Sequence, residues 1–332
     1  MPPKVTVISL GGTIAMTHAG GEGVTPTLDG AALIAAVPGL AEVAELTAVP
    51  FRHLPSAHLD IEDVVALAGE VARAIDGGAG GVVITQGTDT LEEVAFALDL
   101  MLDREAPVVL TGAMRNPTLP GADGPANLLA AVRVAASPEA KGIGTVVVFN
   151  DEVHAARYMQ KTHTTSTAAF RSPLTGPLGW VIEERVRIAA RPAYRPRIAW
   201  EPGSVVPPIV PVALLTVSLG DDGRLIDLLQ EAGYGGLVIE AFGAGHVPVP
   251  VARRLKALAA AMPVVLASRT RAGEMLRHTY DFSGSEADLL SSGLIGAGPL
   301  DGPKARILLS LLLTMGADRE HIAGTFAAWA GD

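Results

Sequence analysis

The chain contains no cysteine, which excludes disulfides, thiolate nucleophiles and Cys-ligated zinc. Aromatic residues are scarce at 4%, while apolar residues reach 49%. The core must therefore be built from Ala, Val, Leu and Ile, a mixture suited to buried parallel strands under Ala/Leu-rich helices. Long runs of Lys or Arg are missing and the formal net charge is −10. Nucleic acid and anionic membrane surfaces, which need a basic patch, are thus not expected as partners. Apolar runs such as ILLSLLLTM, Ile307–Met315, fall far short of the ~20 residues that span a bilayer. The opening Met1-Pro2-Pro3-Lys4 leads straight into a strand-like segment, without the three regions of a secretory signal. A cytoplasmic protein is expected. Around His53, His58, His154 and His163 there is no H-E-x-x-H or related spacing, and no G-x-S-x-G elbow occurs. A metal site and a hydrolase triad of the elbow type therefore lack support.

What is present is an alternation of short β-rich runs with longer Ala/Leu patterns. At 332 residues the length suggests about two domains. Strands are expected at Val5–Leu10, Gly81–Thr85, Val108–Thr111, Thr145–Asn150, Ala213–Ser218, Leu237–Ala241 and Val264–Ser268. Helices are expected at Ile61–Ile75, Leu91–Leu102, Pro125–Ala136, Leu225–Ala232 and Val251–Met262. Continuous apolar strands joined by crossover helices indicate α/β parallel sheets. The window Arg191–Pro211 holds six prolines, too many for central strands or helices. It reads as a linker between a larger domain at 1–190 and a smaller α/β domain at 212–332.

In open α/β sheets ligands bind in the loops at the carboxyl ends of strands, and the reactive side chains collect there. Gly11-Gly12-Thr13 follows the first strand, and Gln86-Gly87-Thr88-Asp89-Thr90 follows Gly81–Thr85. Gly112-Ala113-Met114-Arg115-Asn116 follows Val108–Thr111, and MQKTHTTS brings in Lys161. Gly11-Gly12-Thr13 fits a phosphate cradle poorly. The third glycine of a dinucleotide turn is absent, as is a P-loop lysine. A glycine-rich stretch follows, more like a mobile flap than the helix a phosphate site needs. Thr88 and Asp89 have two readings. Asp89 or Thr90 can cap the helix that follows. Alternatively, a hydroxyl becomes a nucleophile when a base takes its proton. Lys161 is such a base if burial lowers its pKa, with Asp89 orienting it, although most lysines are simply surface residues.

Taken together, SLGGTIAM, ITQGTDTLEE, TGAMRNP with GADGPANLLAAV, and MQKTHTT with FRSPLTGPLG resemble the bacterial L-asparaginases of the threonine-nucleophile type. The likeness continues through GAGHVP, LASRTRAGE and KARILLSLLLT, covering essentially the whole chain in order. The resemblance implies a large N-terminal, mostly parallel-sheet domain and a smaller flavodoxin-like C-terminal domain. It implies that Thr13 attacks a side-chain amide, that Thr88, Asp89 and Lys161 form a proton relay, and that no cofactor takes part. Substrate contacts are implied for Ser56, Asp89, Gly12, Gly87, Ala113, Glu286 and His246, with L-asparagine as substrate and aspartate and ammonia as products. The family also implies a homotetramer of intimate dimers, Glu286 and His246 reaching the partner's site.

The sequence departs from the family pattern at two places. Relatives often carry a tyrosine in the flap after the first threonine, whereas residues 14–50 contain none. Gly23 falls in that register, and Thr25 and Thr27 are the nearby hydroxyls. Ala57 stands after Ser56, where relatives that also accept glutamine often have a polar residue, which tilts the expectation towards asparagine. Which threonine attacks first stays open, as do two alternatives to asparagine hydrolysis. These are a glutaminase-asparaginase and, from another class, a non-catalytic nucleotide- or amino-acid-binding module. The amidase component of a tRNA-dependent amidotransferase is disfavoured by the acidic charge.

Overall fold

The computed structural model describes residues 2–18, 24–26, 30–193, 196–204 and 207–331, with the side chains of 15–30 outside the description. It divides into two compact units, Met1–Ser204 and Val205–Asp332.

In the first unit the chain runs β1 (Lys4–Ser9), a short pair β2 (Met16–His18) and β3 (Val24–Pro26), α1 (Gly30–Ala35), α2 (Leu40–Val43) and β4 (Glu45–Pro50). It continues through α3 (Ile61–Asp76), β5 (Gly81–Thr85), α4 (Leu91–Met101), β6 (Val108–Thr111), α5 (Gly124–Ala136), β7 (Thr145–Phe149) and β8 (Glu152–Ala155). A two-strand ribbon, β9 (Gln160–Lys161) and β10 (Phe170–Arg171), precedes β11 (Gly179–Ile182) and β12 (Arg185–Ile188). The main sheet has the order β12-β11-β8-β7-β6-β5-β1-β4. Strands β4, β1, β5, β6 and β7 are parallel, and β8, β11 and β12 extend the sheet antiparallel. β7 turns into β8 through Asn150 and Asp151, both at positive φ, the geometry of a tight primed hairpin turn that asparagine and aspartate tolerate. The sequence-based strand ending at Asn150 therefore stops one residue early.

Strands buried on both faces read as unbroken apolar runs, which is why β5 and β6 carry the predicted bounds. β4 has an alternating, half-exposed pattern and ends in Pro50, as suits an edge, and that weaker signal escaped the sequence reading. One face packs Val5, Val7, Val83, Val109, Val146 and Val148 against Leu33, Leu40 and the apolar side of α5. Helices α3 and α4 pack on each other and on β5, β6 and β7, and contribute nothing to that first cluster, which puts them on the opposite face. The connections β5-α4-β6 and β6-α5-β7 step the same way across the sheet, yet their helices lie on opposite faces. The second crossover thus has the opposite hand to the first, against the usual uniformity. Its consequence is local: α5 begins on the face where the chain leaves β1.

The second unit contains β13 (Val212–Thr216), β14 (Gly236–Ala241), α6 (Val249–Ala259), β15 (Val264–Ser268), α7 (Glu286–Ser291), β16 (Ile295–Gly296), α8 (Gly302–Thr314) and α9 (Arg319–Ala330). Its four described strands are parallel and in sequential order. The helix expected over Leu225–Ala232 is instead a 3₁₀ turn at Arg224–Leu228. Ile226 and Leu229 are buried while Leu225 and Leu228 are exposed, and a burial spacing of three fits the 3.0-residue period of that helix.

Lys304 in α8 and Asp301 at its N-cap are both buried and form an ion pair of 3.0 Å, with Arg271 at 3.3 Å from the same carboxylate. Burial pushes the Asp301 carboxyl up. The Lys304 and Arg271 charges, with the Lys304 backbone N–H, outweigh it and hold the group below its ordinary range. Stability from this pair is thus fully present above about pH 4, the unfolded value, and is lost as pH falls through the lower folded value. Asp301→Asn is expected to cost about 3–5 kcal/mol near neutral pH. The deficit should narrow below about pH 4 in urea titrations of both proteins; a pH-independent deficit would contradict the assignment.

Candidate active site

The site is assembled from the loops at the carboxyl ends of β1, β4, β5 and β6. Strand β1 continues to β4 on one side and β5 lies on the other, so the crevice between β1 and β5 is the switch point where α/β sheets bind ligands. Backbone contact closes this region tightly. Gly12 has φ +90°, and a Cβ there would lie inside van der Waals distance of Gly87 N and Cα. A Cβ on Gly87 would meet Ser56 Oγ at 2.6 Å, and one on Gly112 would meet Gln86 O at 2.5 Å. Gly124, the first residue of α5, would place its Cβ 2.9 Å from Ile14 Cγ1. Glycine supplies both the left-handed backbone and the missing bulk. The segment after Thr13 forms a single 3₁₀ turn, Thr13–Ala15, and then β2. Among the described residues no α-helix of the kind a phosphate cradle uses starts there.

Thr13 is half-buried and Thr88 is buried, each directly following one of the two touching glycines. Lys161 Nζ donates to Thr88 Oγ1 at 2.9 Å and to Asp89 Oδ1 at 2.7 Å. The lysine side chain is 17% exposed and the Asp89 side chain 68%. One amine therefore bridges a buried hydroxyl and a carboxylate that opens outward, a hydroxyl–amine–carboxylate chain in which protons can move. Asp89 N donates to Ser56 Oγ at 3.2 Å, and Thr90 Oγ1 donates to Ser56 O at 3.0 Å. Capping is thus not the role of this pair. Thr90 is the N-cap residue of α4 but its side chain accepts no helix N–H, and Asp89 Oδ1 is engaged by Lys161. Asp89 and Lys161 line an open cavity of about 600 Å³ with Thr162, His163 and Thr164.

Sequence reasoning missed the supports. Asp123 accepts Met114 N (3.0 Å) and Arg115 N (2.8 Å). Buried Asn127 donates to Gly112 O and accepts Asn150 N, both at 3.0 Å. These two side chains fix the loops after β6 and β7 around Ala113, itself buried. Glu92, in the first turn of α4, accepts the Lys161 backbone N–H at 2.8 Å. Their signal lay in the polar residues of GADGPAN and in the acidic pair of TLEE, which capping statistics alone would explain. His163 and His154 hold neighbouring groups. His163 Nδ1 accepts Thr165 N and Ser166 N at 3.0 Å, and buried His154 meets Ser172 Oγ at 3.0 Å. Burial, more than the opposing pull of Glu152, keeps the His154 imidazole below its ordinary pKa. Among the described residues no cluster of His, Asp and Glu is arranged to hold a metal.

Glu286 and His246 belong to the second unit and meet each other at 3.2 Å. The Glu286 side chain is fully buried and its Oε1 accepts Thr279 N and Tyr280 N at 3.0 and 2.8 Å. Burial pushes its carboxyl up, but these N–H groups and His246 together hold it below the usual range. His246 also packs edge-on to Tyr280 and Phe282, with ring centroids 4.8 and 5.1 Å away. Of the flap positions, Gly23, Thr27 and the Thr25 side chain lie outside the described residues.

Fold and site together define a two-unit α/β protein whose polar centre is a threonine–lysine–aspartate chain at the sheet's carboxyl edge. Comparison with known proteins gives the family. Residues 4–194 match the N-terminal asparaginase domain and residues 211–326 the glutaminase/asparaginase C-terminal domain, so the chain belongs to the asparaginase family. It is 35% identical to an L-asparaginase of Bacillus licheniformis, over 94% of this chain and 96% of that one. It is 33% identical to a probable cytoplasmic L-asparaginase of Campylobacter jejuni, whose crystal structure superposes with a TM-score of 0.88, covering 98% and 99% of the two chains. A glutamyl-tRNA(Gln) amidotransferase component of Methanosarcina mazei is 32% identical over 88% of this chain and 70% of its own.

The glycine contacts make a direct test. Gly12→Ala is expected to lower unfolding stability by about 2–5 kcal/mol, from left-handed strain plus overpacking. Gly69→Ala, within α3 and with open space around its Cβ, should gain up to ~1 kcal/mol. Urea denaturation measures both, and a fully stable Gly12→Ala would contradict the packing.

Proposed function

We propose that the protein is an amidohydrolase that converts L-asparagine to L-aspartate and ammonia through a threonine-bound acyl intermediate. The observation that carries this reading is the Lys161 bridge between Thr88 Oγ1 and Asp89 Oδ1. Thr13 Oγ attacks the side-chain amide carbon of asparagine as its proton passes to the Thr88–Lys161 relay, forming a tetrahedral oxyanion stabilised by backbone N–H groups of the turns at Gly12–Thr13 and Gly87–Thr88. Ammonia leaves on taking a proton from the Thr88–Lys161 relay, and the acyl group stays on Thr13 as an ester. Water then cleaves the ester, giving up its proton to Thr88 as Thr88 passes its own to Lys161, and the relay returns a proton to Thr13 Oγ as it departs. Asp89 balances the lysine charge and its exposed oxygen receives the substrate's α-ammonium. Ser56, fixed under the Asp89 turn, receives the α-carboxylate. The mechanism needs neither metal nor nucleotide.

The chain works as a homotetramer of intimate dimers, with His246 and Glu286 serving the partner's site, in the cytoplasm. Family membership supports these assignments, and a buried ionised Glu286 organising an exposed aromatic surface fits an intersubunit role. Ala57 beside Ser56 leaves the pocket without the polar side chain that favours glutamine, so asparagine is the preferred substrate.

A coupled ammonia assay tests the proposal. Thr13→Ala, Thr88→Val and Lys161→Met are each expected to lower kcat by about 10²–10⁴-fold, the range of positioned proton transfer and nucleophilic groups. L-Glutamine should turn over more slowly than L-asparagine. Parental rates in both Thr13→Ala and Thr88→Val would overturn the mechanism. A nucleotide-induced rise in melting temperature without ammonia release would favour a binding module instead.

A further inference from the structure

We propose that Glu92 is a positioning residue that sets the reach of Lys161 towards Thr88. Lys161 does not sit on the main sheet. It lies on β9, two residues long, whose strand partner among the described residues is β10 alone. Within that ribbon Lys161 faces Phe170, and the ladder continues through Thr162 N to Ala169 O at 2.7 Å. The Lys161 N–H points away from β10 and donates to Glu92 Oε2 at 2.8 Å. On its other side the ribbon is held by the Phe170 ring, whose centroid is 4.5 Å from that of Phe149 in β7. Glu92 is buried and stands three residues after Asp89, in the first turn of the helix that Thr88 and Asp89 lead into.

One side chain thus joins the backbone of the lysine to the helix that the lysine's two partners lead into. Lys161 Nζ reaches Thr88 and Asp89 at the end of a flexible four-carbon stem. Such a stem holds a fixed geometry only if its base is fixed. A carboxylate acceptor on a backbone N–H is a strong and directional tie. Without it the ribbon keeps its aromatic contact, its short ladder and the Arg171–Glu152 pair at 3.6 Å, none of which engages the Lys161 N–H, and the Nζ–Oγ1 distance loosens. Misplacement of a reacting group by about 1 Å costs on the order of 10²-fold in rate.

The kinetic consequence rests on the amidohydrolase reading above, whereas the tie itself is a property of the fold, so two readouts are needed. Hydrogen exchange at the Lys161 amide reports the tie without catalysis. Glu92→Ala should accelerate it by about tenfold or more, the loss of a hydrogen bond to a charged group. Glu92→Gln, which keeps an acceptor oxygen, should restore most of the protection. In the ammonia assay Glu92→Ala should lose on the order of 10²-fold in kcat with KM little changed, because Ser56 and Asp89 keep their places. Glu92→Gln should recover most of that loss. Glu92→Met, similar in length but without an acceptor, replaces the alanine variant if the latter does not fold. Parental kcat in the acceptor-free variant overturns the proposal, as does a fall in kcat with unchanged amide exchange. A glutamine variant no better than alanine also overturns it, since charge rather than the acceptor would then matter. If the parent releases no ammonia, the amidohydrolase reading fails, while the exchange data still decide the tie.

Discussion

The contact between the backbones of Gly12 and Gly87 is the constraint on which the rest of the site depends. Two parallel neighbours, β1 and β5, end side by side, and their loops leave towards opposite faces of the sheet. Any side chain at Gly12 would force those loops apart. Because none is present, the following residues, Thr13 and Thr88, start from touching backbone. The same economy repeats outward, with Gly87 against Ser56, Gly112 against Gln86, and Gly124 against Ile14. The reversed hand of the β6-α5-β7 crossover completes the arrangement, since it brings the start of α5 to the face where the chain leaves β1.

Around that fixed backbone the polar groups are arranged by role. Lys161 and Asp89 form a pair that is dry on one side and open on the other, so the lysine is held while the carboxylate lines the cavity. Asp123, Asn127 and Glu92 each accept or donate at backbone groups and hold the loops rather than offering chemistry. This division follows from desolvation: a buried polar side chain must be satisfied, and satisfying it with loop backbone makes it a strut. The same logic governs Glu286, whose carboxylate is spent on Thr279 N and Tyr280 N.

Much of this was legible in the sequence where one physical signal dominated. β5, β6 and β15 are unbroken apolar runs and carry the predicted bounds. β4, β11 and β12 are half-exposed, and their mixed patterns carry no comparable signal. The turn at Arg224–Leu228 misled because Leu225 and Leu228 are apolar yet exposed, so an α-helical period was read where the buried period is three. The loops bearing Thr13, Thr88 and Asp89 were legible because strand ends collect ligands, and Lys161 because its surrounding motif is distinctive. Glu92 was not, since an acidic residue in a helix's first turn is already explained by the helix dipole. Only the position of a distant backbone N–H, 69 residues along the chain, assigns it a further task.

The central claim is that this convergence makes Thr13 the acyl acceptor. Rapid acid quench of the enzyme with L-asparagine, followed by peptide mass mapping, tests it most directly. The account predicts a transient aspartyl ester on the peptide that contains Thr13. An adduct on the peptide containing Thr88, or turnover of asparagine with no adduct at any quench time, would contradict it.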